Sequence, residues 1–380
     1  MSRCLKVKID PTVFKWLRES SGWTIRDLGK RLKTSEKAII EMESGKRDPT
    51  LRQLREMSKA YNRPMAAFFL SEPVKEKERP KDFRMLPDRK NEFDKKTIMI
   101  LRKARMLQEN SDELSKNIGY NTRPKVEKAV LSDDPDLLSQ KYRTKFELDE
   151  TRQTSFRDAY EMFNYLRDIL EELNILVYQD SIPVEDARGF ALPDYEPNMI
   201  VLSTKDPVEA RLFSLMHEFG HILLNKPAID IPDFKKNHQN KIESWCNRFS
   251  SSFLLPESLA RSVFRENREQ LTVTTFLNGL SRRYKVSKGM LLFNMLRLSF
   301  ISEQEYNDVI ERYKPSGKEE EKERRGGIPA ERKCLSMVGN KFVSLVANNY
   351  DRKIITYTDA LKYLSIKSKN FEKVMAKAGK

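Results

Sequence analysis

Three histidines occur in this 380-residue chain, and two of them stand in the run His217-Glu218-Phe219-Gly220-His221. In so histidine-poor a chain, a chance H-E-x-x-H is expected on the order of 10⁻³ times. Positions i and i+4 of a helix project from one face, so two imidazoles there converge on a single ion at about 2.0–2.1 Å. Glu218 adjoins the first histidine, within reach of a water activated by that ion. The chemistry implied is hydrolysis: Glu218 takes a proton from the water, the hydroxide attacks a carbonyl, and the proton passes to the departing amine. A catalytic zinc needs three protein ligands and one open position. Glu243 is the stronger candidate for the third ligand, because it opens an apparent helix, IESWCNRFSSSFLLP. His238, the alternative, sits in the polar stretch FKKNHQNK. Asn247 lies one turn beyond Glu243 and can hydrogen-bond a ligand. A tetrahedral oxyanion also needs a donor, for which His238 and a tyrosine both stay open. The plain alternative is a surface helix with incidental histidines, and the acidic helix downstream argues against it. A closed structural zinc is disfavoured, since such sites take four protein ligands and prefer cysteine.

Such side chains need a scaffold. Leu212, Leu215, Met216, Ile222 and Leu223 supply the apolar faces that hold the H-E-x-x-H helix in a core. ILVYQ (175–179) and MIVLS (199–203) read as strands, with helices predicted over 97–117 and 156–173. Residues 13–70 read as short amphipathic helices. Thr24 and Thr34-Ser35 are predicted to cap the second and third, Ser44-Gly45 to end the third, and Asp48-Pro49-Thr50 to start the fourth. The boundaries expected are a bundle at 1–72, a charged, proline-bearing linker at 73–96 and the domain with the histidines at 97–316. A second charged linker at 317–334 and a helical module at 335–380 follow.

Lysine and arginine exceed aspartate and glutamate by 71 to 56, a net charge of +15. Residues 1–70 hold 16 basic and 8 acidic side chains, so over half of that excess falls in under a fifth of the chain. Such a bias favours polyanionic partners. No run approaches the ~18 apolar residues of a membrane span, and the N-terminus has no apolar signal region. Cys4, Cys246 and Cys334 are odd in number and far apart, which argues for a reducing compartment. A cytoplasmic protein is expected.

HEFGH followed by E-x-x-x-N-x-F and LLP resembles the ImmA/IrrE metallopeptidases. By position, the resemblance implies that His217, His221 and Glu243 bind the metal and that Glu218 is the catalytic glutamate. Arg211 matches the arginine often found ahead of the motif. Cys246 and Ser250 stand where small alanines are usual, and Cys246 reads as a packed, inert thiol. Residues 13–70 resemble the Cro/repressor-type (XRE) helix-turn-helix through WTIRDLGKRLKTSEKAIIEMESGKRDPTLRQLREMSKAY, although Ile25 replaces a common glutamine. In that motif a second helix enters the major groove. The resemblance places Ser35, Lys37 and Ile40 on its outer face, with Lys33, Lys46 and Arg47 near phosphates. KDFRMLP (81–87) resembles the segment that joins the two modules in fused proteins of this kind, and SRRYKVSKGMLLFNMLRL resembles a small closing helix-turn-helix. Together these imply a mainly α chain with a small β-sheet in the peptidase. It comprises an N-terminal helix-turn-helix bundle, a zincin-like (gluzincin) catalytic domain and a small C-terminal helical module. They also imply one Zn2+ per chain, with Mn2+ the alternative ion. The implied partners are double-stranded DNA, a protein substrate of the transcriptional-repressor type, and a second copy in a homodimer. The implied function is a zinc endopeptidase that alters gene expression, as in stress responses, by cutting a regulator. The alternative is a DNA-binding regulator or antitoxin-like protein whose zinc-binding fold senses without proteolysis.

Overall fold

Capping side chains set where the first helices begin. In the computed structural model, which describes residues 5–61, 63–74, 94–183, 186–226, 228–230, 241–313 and 328–377, Asp10 accepts from the amides of Thr12 and Val13 and starts α1 (Pro11–Ser20). Thr24 accepts from the Asp27 amide at 3.1 Å to start α2 (Ile25–Leu32). Ser35 accepts from the Ala38 amide at 3.2 Å to start α3 (Glu36–Glu43). Hydroxyls at these positions satisfy amides that have no partner inside the helix. Beyond α3, Gly45 takes φ +73°, a conformation that costs glycine least. α4 (Leu51–Tyr61) and a 3-10 turn (Met65–Phe69) follow. Phe14, Leu17, Leu28, Ile39, Leu54 and Phe68 meet in the core of this bundle. Arg18, itself buried, reaches from α1 to Glu43 at the end of α3 and donates to the Trp23 carbonyl at 2.8 Å.

The chain divides into two compact units, Met1–Lys103 and Ala104–Lys380, and α5 (Lys95–Asn117) runs across the division. Most of both expected linkers, residues 81–87, Cys4 and His238 lie outside the described residues.

In the second unit α6 (Pro135–Lys145), α7 (Glu150–Ser155) and α8 (Ala159–Glu172) precede the sheet. The helix expected over 156–173 begins only at Ala159, because Asp158 caps it by accepting from the Glu161 amide. Strands β1 (Ile175–Asp180), β2 (Gly189–Leu192), β3 (Asn198–Ser203) and β4 (Ala228–Asp230) form one sheet in the order β1-β3-β2-β4. β1 and β3 are parallel with Ile175 opposite Asn198, whereas β2 runs antiparallel to both β3 and β4. β2 and β3 are buried along their full lengths and β1 is buried from Ile175 to Gln179, as strands covered on both faces are. This continuous burial is why ILVYQ and MIVLS read as apolar runs and not as alternation.

Helix α9 (Val208–Leu223) packs on the sheet, and α10 (Lys241–Leu254) packs beside α9 and α6. After α11 (Glu257–Glu266), α12 (Thr274–Tyr284), α13 (Lys288–Arg297) and α14 (Glu303–Tyr313), the chain returns as α15 (Ala330–Asp351). α15 packs on β1 and α8. It begins inside the last residues of the stretch expected to be linker, and it is broken at Gly339, where φ is 85°. α16 (Tyr357–Leu364) and α17 (Phe371–Met375) end the fold. Among the described residues no helix is long and apolar enough to cross a membrane.

Candidate metal centre and nucleic-acid face

The H-E-x-x-H residues lie on the most buried stretch of α9, where His217, Glu218 and His221 are all 0% exposed. An aromatic cluster holds the helix there. Tyr142 meets Phe219 edge to face at 5.0 Å, and Phe219 lies 6.0 Å from Phe249 of α10. A Cβ on Gly220 would come within 3.1 Å of the Cys246 sulfur, so α9 and α10 approach closely at that pair. Ser250, in the other position where alanine is usual, donates to the Phe213 carbonyl at 2.8 Å and ties the two helices together.

This close approach brings three donors to one point. His217 Nε2 and His221 Nε2 are 3.1 Å apart, and Glu243 places Oε2 3.2 Å from the first and Oε1 3.4 Å from the second. Three donors tetrahedrally disposed around one ion at about 2.0–2.1 Å would lie about 3.3–3.4 Å from each other. The donor set and its spacing therefore fit a divalent ion of the zinc class. These three residues form a buried cluster able to hold a metal. Burial alone would raise the Glu243 carboxyl, but the imidazoles of His217 and His221 at its oxygens hold it well below the usual carboxylate range. Asn247 is buried one turn further along α10.

Two parts of the surroundings had no signal in the sequence. Strand β2 passes beside the glutamate: a Cβ on Gly189 would lie 3.4 Å from Glu218 Cγ. Nothing in RGFAL marks that segment as a strand, since it has neither alternation nor length. The second is the polar partner of Arg211, the arginine six residues before His217. It donates to Gln179 Oε1 of β1 at 2.7 Å, and Gln179 Nε2 donates to the Ser336 carbonyl of α15 at 2.7 Å.

In the first unit α2 and α3 are joined through Lys33, which takes φ 52° and ψ 48°. Lys33, Ser35, Lys37, Ile40, Lys46 and Arg47 are all exposed, with Ile40 at 52%. Lys37 and Ile40 lie on the outer face of α3 and the other four flank it, while its inner side buries Ala38, Ile39 and Met42. The Ser35 hydroxyl also serves as the cap of α3, and Arg47 lies 3.9 Å from Glu41.

A helix-turn-helix bundle joined to a domain with a buried His-His-Glu cluster defines the class to which this chain is compared. Residues 170–296 match the family model described as the IrrE N-terminal-like domain, a peptidase family, and residues 14–68 match the model described as Helix-turn-helix. Residues 14–68 are thus similar to helix-turn-helix domains, and residues 170–296 are similar to an IrrE-like domain of a peptidase family. No curated protein and no solved structure matches it significantly.

Proposed function

We propose that the chain is a zinc-dependent endopeptidase, acting in the cytoplasm, that is brought to DNA by its N-terminal helix-turn-helix and cuts a transcriptional repressor or similar regulator. The observation that carries this reading is the convergence of His217, His221 and Glu243 within 3.1–3.4 Å of one another, with Glu218 on the same buried helix. The three side chains would hold the ion, with Mn2+ the alternative to Zn2+. A divalent ion held there supplies Lewis acidity to water and to a peptide carbonyl. Glu218 accepts the proton of the attacking water on a carboxylate oxygen and delivers it to the nitrogen of the leaving amine. The exposed Lys33, Lys46 and Arg47 support contact with phosphates.

The test combines metal analysis with co-incubation of the chain and regulators encoded nearby. Glu218→Gln should keep the metal stoichiometry of the wild type and lose cleavage, by about a thousandfold or more. A Glu218→Gln protein that still cut would remove Glu218 from the mechanism. A wild type that bound metal and regulator but left the regulator intact would replace the peptidase with a non-proteolytic sensor.

A further inference from the structure

Helix α3 leaves one large apolar side chain in solvent. Ile40 is 52% exposed, and among the residues of α1–α4 it is the only large hydrophobic side chain that is exposed. The packing of the bundle has no use for it there, because Ala38, Ile39 and Met42 already fill the inner side of α3. Glu36 and Lys37, four and three residues earlier, share its face of the helix. The other polar side chains of this segment are engaged. The Ser35 hydroxyl accepts from the Ala38 amide at 3.2 Å, and the Ser44 hydroxyl donates to the Glu41 carbonyl at 3.1 Å. Glu41 lies 3.9 Å from Arg47, and Glu43 is held by Arg18. Among the described residues, Glu36 and Lys37 make no hydrogen bond or ion pair.

The outer face of α3 thus offers one carboxylate, one ammonium and one branched alkyl group. That set does not suit the DNA backbone, since a phosphate repels the carboxylate of Glu36 and gives an alkyl group nothing to bury. It does suit base edges. In the major groove the amino groups of cytosine and adenine donate to a carboxylate, and guanine O6 and N7 accept from lysine. The C5-methyl of thymine is the apolar group displayed there, and it is the one feature of the groove on which Ile40 can bury surface. The run EKAIIEME contains no arginine, asparagine or glutamine, the side chains that read guanine and adenine through paired hydrogen bonds. Sequence choice by α3 therefore leans on the alkyl contact.

Resting on the DNA-binding reading above, we propose that Ile40 packs against the C5-methyl group of a thymine in the major groove and so fixes one base pair of the recognised site as T·A. Removing that methyl group from water against the side chain is what distinguishes thymine from the other bases at this position.

The test uses the full-length chain. Duplexes are selected from a randomised library with the wild type, and each thymine of the selected site is then replaced in turn by deoxyuridine, which lacks only the methyl group. Affinities are read by fluorescence anisotropy at one fixed salt concentration, because phosphate contacts vary with salt. One replacement should weaken the wild type about threefold to fivefold, the worth of a single methyl group removed from water. Ile40→Ala should bind the thymine and deoxyuridine duplexes alike, with wild-type circular dichroism, since the side chain it removes is exposed. A wild type that selects a site yet tolerates every replacement overturns the proposal and leaves DNA binding by the bundle standing. So does an Ile40→Ala chain that still distinguishes thymine from deoxyuridine. A wild type that binds no duplex overturns the DNA-binding reading and the proposal with it, and would assign Ile40 to a protein contact.

Discussion

At the residue scale, the candidate site depends on two glycines as much as on its candidate ligands. Gly220 lets α10 approach α9 so that Glu243 meets the two histidines, while Gly189 lets β2 approach Glu218. A Cβ on Gly189 would also lie 2.8 Å from the Val201 carbonyl of β3. A backbone oxygen cannot rotate away, so the strand must move, and Glu218 is its neighbour. Gly189→Ala should therefore keep the metal and the fold but slow cleavage on the order of tenfold to a hundredfold, as small displacements at reacting groups do. Single-turnover cleavage of the regulator the wild type cuts, read beside metal stoichiometry, checks this. An unchanged rate, or loss of the metal, would show that Gly189 does not act through Glu218. The histidines and Glu218 stand out in the sequence because helical spacing alone brings them to one face. Glu243 stands out because it starts a helix. Gly189 carries no such mark, since its significance arises from a strand pairing with no local pattern.

At the element scale, the least legible feature is how α15 is fastened. Arg167 and Glu171 of α8 are spaced like an ordinary solvent-facing i,i+4 pair, yet they are 3% exposed each. Arg167 Nη1 donates to the carbonyls of Leu335 and Ser336 at 3.0 and 2.8 Å, and Nη2 donates to Val177 of β1 at 2.6 Å. Glu171 accepts from the Lys341 amide at 2.8 Å. The cation thus meets the carbonyl end of the first half of α15 and the carboxylate meets the amide end of the second, each matching the local helix dipole. Gly339 sits in the break between them, where a Cβ would overlap Glu171 Oε1. Burial pushes the Glu171 carboxyl up, and Arg167 opposes that rise. Arg167→Met leaves a buried carboxylate alone and should cost about 3–5 kcal/mol in urea denaturation. Adding Glu171→Gln should return part of that loss, because the amide oxygen still accepts from Lys341 and no charge is stranded. A double variant no more stable than Arg167→Met would show that lost packing, not the unpaired charge, sets the cost. Helices with hydroxyl caps, α2 and α3 above all, were legible from sequence to within a residue. α15 was not, because its first half adjoins a highly charged run and a glycine interrupts its period.

At the scale of the whole molecule, the division into Met1–Lys103 and Ala104–Lys380 puts all three candidate ligands in one unit. A chain of two units need not unfold in one step, and a ligand that binds only the native form of one unit stabilises that unit alone. The tryptophans provide a way to separate them. Trp16 and Trp23 belong to the first unit, and Trp245 lies in the second, stacked at 5.5 Å on Phe249 of α10 and two residues from Glu243. In a W16F/W23F chain the fluorescence therefore follows α10 alone. With free metal near a thousand times its dissociation constant, linkage amounts to about 4 kcal/mol. Chelation should then lower the Trp245 transition by about 8 °C in a unit of this size. In the W245F chain, the Trp16 and Trp23 transition should stay in place under the same chelator. If the Trp245 transition ignored the chelator, the three buried donors would not be holding an ion in solution. If both transitions fell together, the two units would be unfolding as one cooperative body.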